Sequence, residues 1–393
     1  MTKQEAYVEP AILRWAREKS SLPSSLVAKR VGVPPERLDE WEQGKSRPTV
    51  RQTRVLARIY GHLALAVFYL PEPPRDFTPL KDFRRLATAT PQSISPELLF
   101  EYRSAQDRRE IALSLFEELR EEPPTFTLTA HVGENVASVA ARIRSSLEVS
   151  YETQKRWHTN NEAFNAWRAS LEGAGVLVFQ AVGIAVREMR GLSISDRPLP
   201  AVVVNRKDAY AGRIFSALHE VAHIMLRGGG VCDMRDDRRL PPDELAIEMF
   251  CNAVAGETIV PSETLSHERI VAAHSNLEWT DDELARLAQI YSTSKEVVLR
   301  RLLSMRRTTD AFYRRKREQF IRELEDQERS RGKKTKPGFL TPDVEVVSQT
   351  GKGFVRLTLE AFRQGRITAS TLSDYLGVRL KHIPSIEEMV QTR

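Results

Sequence analysis

The sequence has few cysteines and no long apolar run. Only Cys232 and Cys251 occur among its 393 residues, which argues against a disulfide framework and favours a reducing compartment. No apolar run approaches the roughly eighteen residues that a membrane-spanning helix needs. The N-terminus also lacks the charged-then-apolar layout of a signal peptide. These absences predict a cytoplasmic protein with no membrane partner.

The composition is that of a folded, water-soluble chain. Hydrophobic residues make up 41% and charged residues 28% of the sequence, which is typical of globular domains. The length allows two or three domains and a large core. The formal net charge of +6 permits contact with nucleic acid but does not require it.

The strongest chemical signal is the string His-Glu-Val-Ala-His at positions 219–223. Apolar residues recur around it at three- and four-residue steps, which predicts a helix over 210–227 that ends at the glycines 228–230. Two histidines four residues apart on a helix share one face, so His219 and His223 have the spacing that one tetrahedral zinc ion requires. Glu220 then points aside, towards the water of an open coordination position.

A third zinc ligand is expected on the next helix. After the start signal Pro241-Pro242-Asp243, that helix carries Glu244, Glu248 and Asn252 at four-residue intervals, on one face. We choose Glu248 as the ligand. Glu244 is then either a rival ligand or a group that supports the ligands from behind, and Asn252 is a hydrogen-bond partner that orients one of them. The predicted cofactor is Zn²⁺, with manganese as the alternative metal.

The two segments together resemble the ImmA/IrrE family of bacterial zinc metallopeptidases. The resemblance rests on 219–223, on 248–255 and on the ending Ile259-Val260-Pro261. It implies that His219, His223 and Glu248 bind zinc and that Glu220 is the general base. The string at 219–223 alone also occurs by chance in helices that bind no metal, so the linked second motif carries the assignment.

This chain departs from the family pattern at two places. Cys251 stands where the family usually has alanine, and a thiol beside the metal raises the question of altered ligation. Gly256-Glu257-Thr258 is more polar than the usual aliphatic run.

The first seventy residues have the pattern of short helices joined by tight turns. We predict helices over 11–19, 24–31 and 36–43, with Gly32 in the turn between the second and the third, which is the layout of a helix-turn-helix. The stretch 41–49 resembles the end of the recognition helix in Cro/repressor-like (XRE) domains. Two closing helices are expected over 51–60 and 63–70.

Contact with DNA is a separate hypothesis. Lys45, Arg47 and Arg51 are candidates for phosphate contacts, and Arg37 is a candidate for a base edge. The same helix carries four acidic residues that a polyanion repels, namely Glu36, Asp39, Glu40 and Glu42. The alternative is a helical module that binds protein. Domains of this class often pair on two half-sites, so a homodimer is expected.

The rest of the chain predicts an α+β fold that is mostly α. Strands are expected over 175–181, 189–194 and 201–205, as the small sheet of a zincin, in which one edge strand binds substrate. We assign Gly191–Ser195 to that edge. Arg213, Tyr210 and His158 are all candidates to stabilise the oxyanion.

Long helices are predicted over 96–121 and 310–329, and a helix pair begins at Thr280. The predicted domains are an XRE-type helix-turn-helix domain (1–70), a linker and long helix (71–130), a zincin-like metallopeptidase domain (131–265), a helical domain (266–330) and a C-terminal helical cap (338–393).

Two functions follow from these patterns. The first is a zinc-dependent endopeptidase fused to a DNA-binding domain, and the family resemblance implies a repressor-type transcription factor as its substrate, in stress response or mobile-element regulation. The alternative is a transcriptional regulator or antitoxin-like protein, with a neighbouring toxin as partner, whose metal site is sensory or structural. A purely structural zinc site usually has four ligands rich in cysteine, which this pattern lacks.

Overall fold

The computed structural model of the protein describes residues 5–20, 22–60, 65–73, 95–226, 230–232, 242–334 and 341–391. The chain forms two compact units, Met1–Asp107 and Arg108–Arg393. The predicted linker residue Pro74, the helix-ending glycines 228 and 229, and Pro241 lie outside the described residues. The helices and the small sheet confirm an α+β fold that is mostly α.

The N-terminal unit begins with four short helices. They are α1 (Pro10–Lys19), α2 (Ser24–Val31), α3 (Pro35–Glu42) and α4 (Val50–Ile59), and they match the predicted helices to within one residue. A 3-10 helix, Leu65–Tyr69, stands where the last closing α-helix was predicted. Gly32 ends α2 with φ 79°, a conformation that favours glycine and turns the chain into α3. Apolar side chains from all these helices form one core.

The second unit contains a four-stranded sheet. The strands are β1 (Leu177–Ala181), β2 (Gly191–Ile194), β3 (Ala201–Asn205) and β4 (Gly230–Cys232), in the order β1-β3-β2-β4. β1 pairs with β3 in parallel, and β2 is antiparallel to both β3 and β4. The three predicted strands are confirmed, and every residue of β1, β2 and β3 is buried.

The prediction that Gly191–Ser195 is an edge strand was wrong. Leu192 in β2 pairs with Val203 of β3 on one side and with Val231 of β4 on the other. Gly230 was expected only to end the preceding helix, but it begins β4, which pairs with β2. In the described sheet, β1 and β4 are the outer strands.

The described residues before, between and after the strands form eight helices. They are α5 (Pro96–Leu119), α6 (Val136–Ser146), α7 (Tyr151–Lys155), α8 (Asn160–Gly173), α9 (Tyr210–Met225), α10 (Pro242–Ile259), α11 (Ser262–His267) and α12 (Arg269–Ala272). α9 packs against β2, β3 and α10. It is therefore held between the sheet and the next long helix, which positions the candidate site.

Six more helices follow in the described part of the second unit. They are α13 (Asp281–Ile290), α14 (Lys295–Ser304), α15 (Asp310–Lys334), α16 (Pro342–Arg363), α17 (Ala369–Leu376) and α18 (Ile383–Gln391). The helix pair predicted from Thr280 is confirmed, because Thr280 and Glu283 form a capping box at the start of α13. Among the described residues, no helix combines the length and the apolarity needed to cross a membrane.

Helix α16 packs on β1 and bends at Gly351, which has φ 88° and ψ 154°. The Gly353 N–H donates to Glu172 at 2.9 Å, and Arg168 donates to the Ser348 carbonyl at 2.7 Å. A Cβ on Gly351 would meet the Glu172 carboxylate. The bend therefore requires glycine and fastens α16 to α8.

Candidate metal centre

Helix α9 presents its histidines to the interior of the second unit. All its side chains from Ile214 to Met225 are buried, because α9 lies between the sheet and α10. His219 is 0% exposed, Glu220 1% and His223 6%. Three polar side chains in such a position require partners, since a buried polar group without one is costly.

The two imidazoles and one carboxylate converge on a common point. His219 Nε2 and His223 Nε2 are 3.1 Å apart. Glu248, from α10, places one oxygen 3.3 Å from His219 Nε2 and the other 3.3 Å from His223 Nε2. Within the described part of the chain, these three residues form a group whose ligand atoms all lie within 4.8 Å of one another.

This geometry fits a zinc ion. Ligands about 2.0 Å from a tetrahedral zinc are about 3.3 Å from each other, which is the spacing of the three groups. Two neutral imidazole nitrogens that face each other at 3.1 Å repel unless a proton or a cation lies between them. Two histidines and a glutamate are also the donor set of catalytic zinc sites that keep one position open.

The surroundings of Glu248 and Glu220 shift their pKa values in opposite directions. Burial acts to raise the pKa of Glu248, but hydrogen bonds with His219 and His223 and their charges outweigh it, and this pKa lies below the usual range. Burial raises the pKa of Glu220, partly opposed by His223, His219 and Ser193. Glu248 is therefore suited to remain an anionic ligand, and Glu220 to exchange a proton.

Strand β2 forms a close cradle for the Glu220 side chain. The Ser193 hydroxyl donates to Glu220 Oε2 at 2.8 Å, in a buried contact. A Cβ on Gly191 would lie 2.8 Å from Glu220 Oε1, so only glycine fits there. Oε1 is buried and has no hydrogen-bond partner among the described residues. Ser193 thus fixes one oxygen and leaves the other available.

Our sequence reasoning missed this contact between β2 and α9. A glycine inside a strand is a signal of close approach by another group, and Gly191 carried that signal. The identity of the approaching residue depends on the packing of α9 on the sheet, which no local pattern predicts.

Glu244 and Asn252 lie one turn before and one turn after Glu248 on α10, both half-buried. Neither makes a hydrogen bond to the three converging groups in the described structure, so their supporting roles stay predictions. Cys251 is buried beside His223. Burial raises the pKa of its thiol, against a hydrogen bond with His223 that lowers it.

The polar run at 256–258 has a structural explanation. Glu257 is buried and forms an ion pair with Arg301 of α14. Arg301 also donates to the Val260 carbonyl at 3.1 Å and to the Ser262 hydroxyl at 2.6 Å. Gly256 leaves room for the Arg301 side chain, whose Cδ would lie 3.2 Å from an added Cβ. This run therefore joins α10 to α14.

The three candidates for oxyanion stabilisation lie in other surroundings. Arg213 donates to the Asp208 carbonyl at 2.8 Å, to Gln180 at 2.9 Å and to the Arg206 carbonyl, so it holds the turn before α9. Tyr210 lies under the Arg213 guanidinium, 4.3 Å from ring centre to Cζ. His158 is exposed at the surface. The described contacts bring none of them to the histidines.

The candidate DNA contacts all lie on the surface of the N-terminal unit. Lys45, Arg47 and Arg51 are exposed, and the Arg47 guanidinium lies 4.2 Å from the Tyr7 ring centre. Arg37 forms an exposed ion pair with Glu40 at 2.9 Å. Each residue is thus accessible, but Arg37 is engaged by its own helix.

The four acidic residues of α3 differ in their exposure to solvent. Glu42 is buried and paired with Arg17 at 2.6 Å. Glu40 accepts from the Ser46 hydroxyl at 2.9 Å as well as from Arg37. Two of the four carboxylates are therefore engaged within the unit.

The comparison with protein families agrees with the site. The family model of the IrrE N-terminal-like domain (Peptidase_M78) matches residues 177–303. The matched segment runs from β1 into α14 and includes the three converging residues and Glu220. It covers less than half of the chain and does not include the N-terminal unit. The match supports the resemblance to the ImmA/IrrE family and a peptidase activity for this segment. No curated protein matches the chain.

Proposed function

We propose that the protein is a zinc-dependent endopeptidase whose active site is formed by α9, α10 and β2. The observation that carries the proposal is the convergence of the buried His219 and His223 with the half-buried Glu248 at distances of 3.1 to 3.3 Å. The peptidase-family match over the same residues supports it independently.

In this proposal His219, His223 and Glu248 hold the metal. A zinc ion bound there supplies Lewis acidity, which polarises the scissile carbonyl and makes water easier to deprotonate. Glu220 Oε1 takes a proton from the attacking water and later passes it to the amide nitrogen of the leaving segment. Ser193 holds Oε2 throughout, so the proton moves at a defined oxygen.

The proposed substrate is a repressor-type transcription factor. Support comes from the family resemblance and from the helix-turn-helix pattern of the N-terminal unit, which suggests that the enzyme acts near regulated genes. The test combines the zinc-loaded full chain with repressors encoded near its gene, and follows cleavage by mass spectrometry. Glu220→Gln should retain zinc but lose cleavage, and a fully active Gln variant would overturn the mechanism.

A second candidate function is regulation without cleavage, in which the N-terminal unit binds DNA and the metal centre senses or stabilises. The observation in its favour is that Lys45, Arg47 and Arg51 are exposed while Glu42 is withdrawn into an ion pair with Arg17. The two functions differ in one result. If Glu220→Gln abolishes regulation while fold and DNA affinity are intact, regulation depends on cleavage.

A further inference from the structure

A groove of about 560 Å³ lies beside the candidate metal centre, between α10, α14 and α15. Phe215 lines it, and the Phe215 ring stacks on the His219 imidazole with 6.3 Å between centroids. Met249 and Asn252 also line it, one and four residues after the ligand Glu248. The groove therefore includes residues that are next to the ligands in sequence or stack on one of them.

Large apolar side chains are exposed in this groove. Met249 is 62% exposed, which is the highest value for a large apolar residue described in the second unit, and Ile321 on α15 is 44% exposed. Exposed apolar groups that share one concave surface indicate a binding site rather than chance exposure. A methionine is suited to this role because its unbranched side chain adapts to different partners.

Positive charge prevails along the same groove. Its charged lining residues are Arg300, Arg301, Arg314 and Arg317 against Asp310 and Glu318. Arg301 is held by Glu257 inside the fold, and Arg317 pairs with Glu296 of α14 at 3.2 Å. Arg314 is different, because its side chain is 64% exposed and its ion pair with Asp310, at 2.6 Å, is also exposed. Such a pair contributes little stability and can exchange for a carboxylate of a bound chain.

We propose that this groove binds the protein substrate beside the scissile bond and selects a segment in which an apolar side chain is followed or preceded by acidic ones. The inference rests on the proposed endopeptidase function for the identity of the occupant. The apolar residues Met249 and Ile321 receive the apolar side chain, and Arg314 attracts the acidic ones.

The test measures binding separately from cleavage. The probe is a short fluorescein-labelled peptide of alternating leucine and aspartate, titrated by fluorescence anisotropy against the zinc-loaded full chain that carries Glu220→Gln. A peptide of alternating leucine and lysine tests whether binding requires negative charge. A peptide of alternating serine and aspartate tests whether binding requires apolar side chains. The leucine and aspartate peptide should bind at least about tenfold more tightly than either.

The chain offers a matched pair of arginines for the same titration. Arg314 and Arg315 are neighbours on α15, 64% and 62% exposed, and each forms one ion pair, with Asp310 and Glu278 respectively. Only Arg314 lines the groove. Arg314→Glu should weaken binding of the leucine and aspartate peptide about fivefold, and Arg315→Glu should leave it unchanged. An equal loss in both variants would overturn the assignment.

The apolar contact has its own matched pair. Ile321 lines the groove and is 44% exposed, whereas Leu277 is 48% exposed and does not line it. Ile321→Asp should weaken binding and Leu277→Asp should not. If Ile321→Asp instead converts a dimer into a monomer in light scattering, the groove is an interface between two copies and the proposal is wrong.

The experiments distinguish the case in which the groove does not select the peptide from the case in which the protein is not an endopeptidase. Selective peptide binding together with a wild-type protein that cuts no substrate would support the binding groove and contradict the endopeptidase function. Cleavage of a repressor together with equal binding of the three peptides would support the endopeptidase function and contradict the proposed selectivity of the groove.

Discussion

The two units of the protein present their polar side chains in opposite ways. In the second unit the buried His219 and His223 converge with the half-buried Glu248, and a buried polar group is costly without a partner. In the N-terminal unit Lys45 and Arg47 lie on the surface. Two imidazole nitrogens and a carboxylate that face one another favour a bound cation, whereas an exposed cationic surface fits many partners. The difference explains why the structure supports a specific chemistry for one unit and a broader hypothesis for the other.

The largest effect is expected at Glu220, the proposed general base in the second unit. Glu220→Gln removes the proton acceptor but keeps the size of the side chain and its contact with Ser193. We expect kcat to fall by about 10²- to 10⁴-fold, the usual contribution of general acid-base catalysis. Zinc content should be unchanged, and kcat on a cleaved repressor is the measurement. An unchanged kcat would remove Glu220 from the mechanism.

A buried polar pair that is not at the metal centre tests whether burial alone implies function. Glu257→Ala leaves Arg301 as an uncompensated buried charge, so we expect the free energy of unfolding of the second unit to fall by about 3 to 5 kcal/mol. Zinc binding by the folded variant should persist. Chemical denaturation and metal analysis measure the two properties. Loss of zinc from a variant that is still folded would contradict the view that this ion pair is independent of the metal centre.

The contact between β2 and α9 should have a smaller effect than Glu220 itself. Ser193→Ala removes the hydrogen bond that fixes Glu220 Oε2, and we expect kcat to fall by about 10- to 100-fold, as for other groups that orient active-site residues. KM should change little. Ser193→Thr, which keeps the hydroxyl, serves as the control and should restore most of the lost rate. An equal loss in both variants would indicate a packing role.

The smallest effect is expected at the exposed surface of the N-terminal unit. If Arg47 contacts a phosphate, Arg47→Ala should weaken DNA binding by a similar factor for all sequences and lower the salt-dependence slope by about one. Titrations at several salt concentrations measure the slope. Arg58, exposed on α4, provides a control substitution on the same unit. An unchanged slope in Arg47→Ala would favour the alternative that this unit binds protein.

Local sequence patterns predicted much of the site. The three- and four-residue periodicity around His219 located α9, because that signal arises within one helix. The four-residue spacing on α10 placed Glu244, Glu248 and Asn252 on one face, and the family resemblance selected Glu248 among them. The strands were also found from their apolar runs.

Contacts between distant segments were not predicted. The return of 230–232 to the sheet, the hydrogen bond from Ser193 to Glu220 and the bend at Gly351 each depend on packing between elements far apart in the sequence. The polar run at Glu257 seemed a departure from the family pattern, but its partner Arg301 lies on another helix. Periodicity reports which face of a helix is apolar, and it does not report what that face meets.

The most direct test of the account is the metal content of the purified full chain. Wild type and His158→Ala, a control at an exposed histidine of the same unit, should contain about one zinc per chain, the stoichiometry of a three-ligand site. His223→Ala should lose it, together with cleavage. Retention of zinc by His223→Ala, or a wild-type protein that binds no metal, would contradict the central claim that these residues form a metal centre.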